Sequence, residues 1–263
     1  MDGLSRKVLV ITPLYNKHKF LPYTIGSVLL QKNVEITQVI VDDCSTDGSY
    51  EWVMEKLNPY PNIHIIRNEE NKGCYQTRNA GLKYAVDNNI EFDYFTIADA
   101  DDRQDENRYE TLISACFESY PDAKMIKTAY TRTNIENPYE TFVSEGDGEG
   151  SAMFRREVFD KIGYFDNTLR YSGDTEYYKR LCIHYVLQKY KIEDVSKYTS
   201  LNQLTAYFDN DNLTRAIPIG NRWPVFEYIN SMIEGTKNQE DCFYEYNNKG
   251  YNGGFNPSVG TMA

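Results

Sequence analysis

The chain has 263 residues, 41% of them hydrophobic and 25% charged, enough for one large α/β domain or a domain plus an appendage. Its net charge of −11, with no basic stripe to offset it, argues against a nucleic-acid partner, and no run approaches the ~20 apolar residues of a membrane span. Five scattered cysteines, none in C-x-x-C spacing, fit a reducing compartment without a disulfide framework or a zinc site; with no secretion signal in Met1–Lys7, the expectation is a soluble, cytoplasmic chain that meets a membrane only through partners.

Val8-Leu9-Val10-Ile11 is a continuous apolar, mostly β-branched run, the pattern of a strand buried on both faces. Pro13 is expected to stop its ladder, and Leu21, Ile25, Val28 and Leu29 recur at helical spacing, predicting a helix of about four turns. A second buried strand, Val39-Ile40-Val41, ends in the polar turn Asp42-Asp43-Cys44-Ser45-Thr46-Asp47-Gly48, before a helix around Glu51–Leu57 that Ser45 and Asp47 are expected to cap. Ile63–Ile66 is a third strand and Gln76–Val86 a helix. The fourth strand is Phe95-Thr96-Ile97, which runs into Asp99-Ala100-Asp101-Asp102. Strands and helices alternating at this spacing predict a parallel sheet with helices on both faces, and ligands of such sheets sit outside the carboxyl ends of the strands. The polar residues gather at those ends.

Further on, the pattern predicts a helix near Glu106–Ser119, a strand near Lys124–Thr131, a Gly-rich break at Glu145–Gly150, and a short strand turning into a helix over Met153–Ile162. A turn at Gly163–Asp166 and a helix opening near Gly173-Asp174 follow. From about Val195 periodicity weakens; Trp223–Ile233 reads as a helix and Tyr244–Ala263 as irregular.

The carboxylate cluster demands an explanation. Two unit charges about 4 Å apart repel by roughly 4 kcal/mol at an effective dielectric near 20. Three carboxylates at one strand end therefore call for a cation, a proton or open water. Hard oxygen ligands suit Mg2+ or Mn2+, which borrow much of their shell from water and substrate phosphate. Taken alone, the cluster reads equally well as a solvated acidic turn.

Its neighbours shift that balance. Pro13-Leu14-Tyr15-Asn16, the Asp42–Gly48 turn, Asn71-Lys72-Gly73 with Arg78-Asn79-Ala80-Gly81, Asp99-Ala100-Asp101-Asp102, Met153–Glu157 with Gly163–Asp166, and Gly173-Asp174 stand in the order and spacing of six sequence blocks. Together they resemble family 2 glycosyltransferases over roughly residues 7 to 185. The resemblance implies a single GT-A domain: a Rossmann-like, mostly parallel central sheet flanked by helices, with an irregular C-terminal extension. The domain would occupy 1–217, with a nucleotide-binding half of about 1–102 and an acceptor-side half of about 103–217, leaving 218–263 as the extension. It also implies an inverting, metal-dependent transferase that moves a sugar from a nucleotide diphosphate, a UDP-sugar in the first instance, to a hydroxyl of a glycan or glycoconjugate acceptor.

By the same resemblance, Pro13, Tyr15, Asp43, Arg78, Asp99 and Ala100 bind the nucleotide-sugar. Tyr15 would stack on the base, a contact worth about 1–3 kcal/mol, and Asp43 would accept from uracil N3–H, with Asp42 supporting the turn. Asp101 is the first choice for ligating Mn2+ or Mg2+, with Asp99 secondary and Asp102 third. Arg78 either touches the nucleotide or pairs with an aspartate. Asp174 is the candidate general base. The family more often has Glu-Asp at this point, and here Gly173 replaces the first acid, with Glu176 a weaker substitute. Two other readings stand beside this one. A nucleotidyltransferase shares the sheet and the carboxylates, but Thr12–Lys19 lacks the glycines of a triphosphate loop. A non-catalytic sugar-nucleotide-binding subunit would not need both Asp101 and Asp174.

Overall fold

The computed structural model describes residues 6–137, 139, 141–144, 151–169, 173–188, 191 and 195–208. Four parallel strands form its first half: β1 (Lys7–Leu14), β2 (Glu35–Asp42), β3 (Ile63–Arg67) and β4 (Tyr94–Ile97), in spatial order β3-β2-β1-β4. The crossovers are α1 (Leu21–Leu29), α2 (Ser49–Leu57) and α3 (Cys74–Asp87). Alternation along β1 divides the core as a pleat requires. Leu9 and Ile11 pack towards Leu82 and Ala85 of α3, whereas Val8 and Val10 pack towards Val28 of α1. A third cluster, Leu14, Leu21, Ile25, Ile40 and Val53, lies under α1 and α2. Helix α3 is pressed hard against the sheet: a Cβ on Gly81 would lie 2.8 Å from Ile11 Cγ2 and 3.1 Å from Val41 Cγ2.

Beyond β4 the sheet becomes mixed. The chain forms β5 (Asp102–Gln104), α4 (Arg108–Thr111) passing into a wider helical turn (Leu112–Phe117), β6 (Met125–Asn134), β7 (Thr141–Ser144), β8 (Met153–Arg155), α5 (Arg156–Ile162), α6 (Gly173–Leu187) and β9 (Ser196–Phe208). β8 lies antiparallel between β4 and β6, β9 runs parallel to β6, and β5 pairs antiparallel with β9. The sheet order is β3-β2-β1-β4-β8-β6-β9-β5, with β7 on β6. Phe95, Phe154 and Tyr177 carry the Leu9–Ile11 core across this junction, Phe95 stacking on Phe154 at 4.9 Å.

The expected strand–helix order is present through Tyr185, with four differences. Pro13 does not stop β1: it stays in register with Val41. Its side of the strand faces β4, whose pairing ends at Ile11↔Ile97, so no ladder bond is lost to the missing N–H. Helix α1 has nine residues rather than four turns. The weakly periodic region after Val195 holds β9, and the short strands β5 and β7 had no sequence signal. The Gly-rich break at 145–150, the 217/218 boundary, the 223–233 helix and the tail lie outside the described residues. No helix among the described residues is long and apolar enough to cross a membrane.

Candidate active site

The carboxyl ends of β1 and β2 are stitched together by short polar contacts. Asn16 N–H donates to Ser45 Oγ at 3.0 Å, Thr46 N–H to Asn16 Oδ1 at 2.8 Å, and Lys17 N–H to Ser49 Oγ at 3.0 Å. Asn16 (φ 51) and Cys44 (φ 64) both take left-handed backbone in these turns, a conformation that non-glycine residues rarely adopt. Tyr15 is carried to the rim with 46% of its surface exposed, an open ring rather than a core packer. Pro13, two residues earlier in β1, is half-buried.

The adjacent aspartates have separate tasks. Asp42 is fully buried against Arg67 Nε at 3.1 Å and Ser45 N–H at 3.2 Å; burial, outweighing those contacts, pushes its carboxyl up. Asp43 holds the loop between β3 and α3, accepting from Asn68 Nδ2 and Lys72 N–H at Oδ1 and from Gly73 N–H at Oδ2, each at 2.8 Å. An ionised carboxylate offers about four lone-pair sites, so one acceptor position is left for a ligand. Capping of α2 departs from expectation. Asp47 Oδ1 does take the Ser49 N–H at 3.0 Å, but Gly48 is the N-cap, and Ser45 serves the β1 turn instead.

The carboxylate cluster after β4 is sorted by its cations. Arg78 Nη2 lies 3.0 Å from Asp99 Oδ1, and Lys17 Nζ lies 2.7 Å from Asp101 Oδ2. Asp102 enters β5 and is buried; burial first, then the charges of Asp99 and Asp101, push its carboxyl well above the ordinary range. Ala100 is buried too, and its carbonyl accepts from Thr24 Oγ1 at 2.6 Å, so Ala100 could meet a ligand only through its backbone N–H. Tyr207 N–H, at the end of β9, donates to the Asp101 carbonyl at 2.8 Å. Both ends of the turn are therefore fixed. Among the described residues no three His, Cys, Asp or Glu side chains converge on a ready-made metal cage. Asp101 with Asp99 fits the other pattern: one or two carboxylates for a divalent ion that completes its shell with phosphate and water.

Asp174 stands in the first turn of α6. Its Oδ1 accepts from the Tyr75 hydroxyl and from Thr175 N–H, both at 3.0 Å. Tyr75 stacks on Phe165 with centroids 6.1 Å apart, and the Arg78 guanidinium lies 5.2 Å from its ring centre. Asn79 fixes this corner by exchanging two hydrogen bonds with the Phe165 backbone at 2.8 and 3.0 Å. Glu176 instead turns into the core, fully buried and paired with Arg180 at 2.7 Å, which removes it as a base candidate. A continuous path, Asp99–Arg78–Tyr75–Asp174, thus joins the carboxylate turn to the start of α6. Sequence reading missed Lys17 and Tyr75. A lysine two residues past Tyr15 and a tyrosine one helical turn before Arg78 were the available signals.

The model for "Glycosyl transferase family 2" matches residues 9–163, which span the carboxyl ends of β1 to β4 but neither Asp174 nor β9. A putative teichuronic acid biosynthesis glycosyltransferase, TuaG of Bacillus subtilis, is 33% identical over 118 residues, 45% of either chain. Glycosyltransferase GlyG of Streptococcus pneumoniae is 31% identical over 144 residues, 55% of this chain and 46% of its own. The chain thus spans less than half the length of these curated relatives. Among solved structures, S. aureus TarS in complex with UDP superimposes with a TM-score of 0.58 at 20% identity, covering 77% of this chain and 60% of that one. Mannosyltransferase PcManGT from Pyrobaculum calidifontis, in complex with GDP-Man and Mn2+, gives 0.52 at 16% identity, covering 84% and 60%. At such identities the likeness speaks for the fold.

Proposed function

The chain belongs to glycosyl transferase family 2, and on that premise we propose that it transfers a sugar, with inversion, from a UDP-sugar to a hydroxyl of a glycan or glycoconjugate. The observation that carries this reading is the path from Asp99 through Arg78 and Tyr75 to Asp174, which sets a cation-lined carboxylate turn beside a separate, hydrogen-bonded carboxylate. Tyr15 stacks on the base, and the remaining acceptor position of Asp43 takes the uracil N3–H. Lys17 and Arg78 bring positive charge to the diphosphate. Asp101, seconded by Asp99, would hold Mn2+ or Mg2+, which would offset the charge of the diphosphate and stabilise the departing nucleotide.

Asp174 takes the proton from the acceptor hydroxyl as it attacks the anomeric carbon opposite the leaving UDP. A single displacement from that side inverts the centre. A positioned carboxylate base contributes typically about 10²–10⁴-fold, roughly 3–5 kcal/mol of barrier. An acceptor of the teichuronic or teichoic acid type is inferred from relatives named for the biosynthesis of those polymers. A screen of nucleotide release from UDP- and GDP-sugars, with Mn2+ and Mg2+ compared, tests the reading: UDP-sugars should be consumed only with metal present. No release from any donor would remove it.

A further inference from the structure

We propose that Tyr75 is the positioning residue for Asp174, its hydroxyl anchoring Oδ1 so that Oδ2 is the atom that accepts the proton. The inference rests on Asp174 being the base. Two donors, the Tyr75 hydroxyl and Thr175 N–H, each at 3.0 Å, land on Oδ1, and among the described residues none is assigned to Oδ2. Rotating the carboxylate would sacrifice both bonds together. One oxygen is held and the other is left to react.

Tyr75 is itself fixed on three sides. Its ring is buried and stacks on Phe165 with an interplanar angle of 30°, and Arg78, paired with Asp99, lies over it. The third side is Gly173, where an added Cβ would come within 3.0 Å of the Tyr75 ring carbons Cδ2, Cε2 and Cζ. The absence of a side chain at 173 and the presence of a ring at 75 are therefore one feature: the ring reaches Asp174 because the preceding residue is glycine. Burial first, then the charge of Asp174, holds the hydroxyl well above the ordinary tyrosine range, so it remains a donor throughout the working pH range. A residue serving only to fill the core beside Phe165 would need the ring but not the hydroxyl.

Tyr75→Phe separates these roles, since it keeps the ring and removes the donor. Release of UDP from UDP-N-acetylglucosamine, UDP-glucose and UDP-galactose with Mn2+ is measured, water standing in for the acceptor hydroxyl. A misplaced reacting group costs up to about 10²-fold, so kcat should fall about 10- to 100-fold, with donor KM and UDP affinity within about twofold of the unsubstituted protein. Gly173→Ala, which displaces the ring, should give a similar fall, and combining the two should add little, as expected of residues acting through one contact. An unchanged kcat in Tyr75→Phe, or a loss that appears wholly in KM, overturns the inference. Asp174→Asn keeps the underlying reading separate. If that variant retains turnover, or if the unsubstituted protein consumes none of the three donors, the base assignment falls and the role of Tyr75 falls with it; if Asp174→Asn is inactive while Tyr75→Phe is normal, only the Tyr75 inference fails.

Discussion

Asp43→Asn should damage stability and nucleotide binding together. The substitution is nearly isosteric, so the effect comes from hydrogen bonding. In its best orientation the amide oxygen keeps Asn68 Nδ2 and Lys72 N–H, and the amide nitrogen then confronts Gly73 N–H, donor against donor. A hydrogen bond to a charged group is worth about 1.5–3 kcal/mol. One such bond is lost outright and two lose their charge assistance, for a total of about 3 kcal/mol. At about 2–4 °C per kcal/mol for a domain of this size, the melting temperature should drop roughly 6–12 °C. UDP affinity, measured by calorimetry, should weaken about 10- to 100-fold, because the base also loses its acceptor and the loop carrying α3 loses its anchor. Asn68→Ala is the control: it removes one of the three bonds, leaves the other two charge-assisted, and should cost about 1.5 kcal/mol. A melting temperature within about 1 °C of the unsubstituted protein, or unchanged UDP affinity, would refute this division of labour.

Lys17→Met removes the ammonium 2.7 Å from Asp101; Mn2+ binding without nucleotide, followed by electron paramagnetic resonance, should tighten severalfold, while UDP binding weakens as the diphosphate loses a cation. Gly81→Ala forces a methyl to within 2.8 Å of Ile11; overpacking at about 1–3 kcal/mol, partly offset by about 1 kcal/mol of helix propensity, should lower the melting temperature by a few degrees. At Asp47, partial burial works against ionisation, but hydrogen bonds from Ser49 and from the His18 backbone outweigh it and hold the carboxyl below its ordinary value of 3.8. The folded state therefore binds fewer protons than the unfolded one, and the contribution is present above pH 3.8 and lost as pH falls through the folded value. Urea titrations should show Asp47→Asn less stable than the unsubstituted protein at neutral pH, by about 1 kcal/mol or less at this exposed position, with the gap closing in acid.

The strands that carry the site were legible because they are buried on both faces. Val8–Ile11 and Val39–Val41 can be nothing but interior, and the residues that follow each run must emerge at one edge. The mixed half was harder to read. β9 draws its pairing from β6 and β5 rather than from a periodic apolar face of its own, and β5 has only three residues. The acidic turn itself is plain in the sequence, but Lys17 is not marked there as a partner of Asp101: the cations that pair with Asp99 and Asp101 arrive from α3 and from the turn after β1, at sequence separations of 21 and 84. Tyr75 was obscured for the same reason. It was one of 23 tyrosines, and its meaning depends on a glycine nearly a hundred positions away. Pro13 shows the converse, a local rule overridden because the neighbouring strand had already ended.

The most direct test of the whole account is Asp174→Asn, comparing single-turnover UDP release with UDP affinity in the presence of Mn2+. The account predicts that turnover falls about 10²- to 10⁴-fold, with UDP affinity unchanged within about twofold, since the proposal sets the acceptor at Asp174 and the nucleotide at Tyr15, Asp43 and Asp101. Turnover near that of the unsubstituted protein, or a loss of UDP binding equal to the loss of rate, would contradict it.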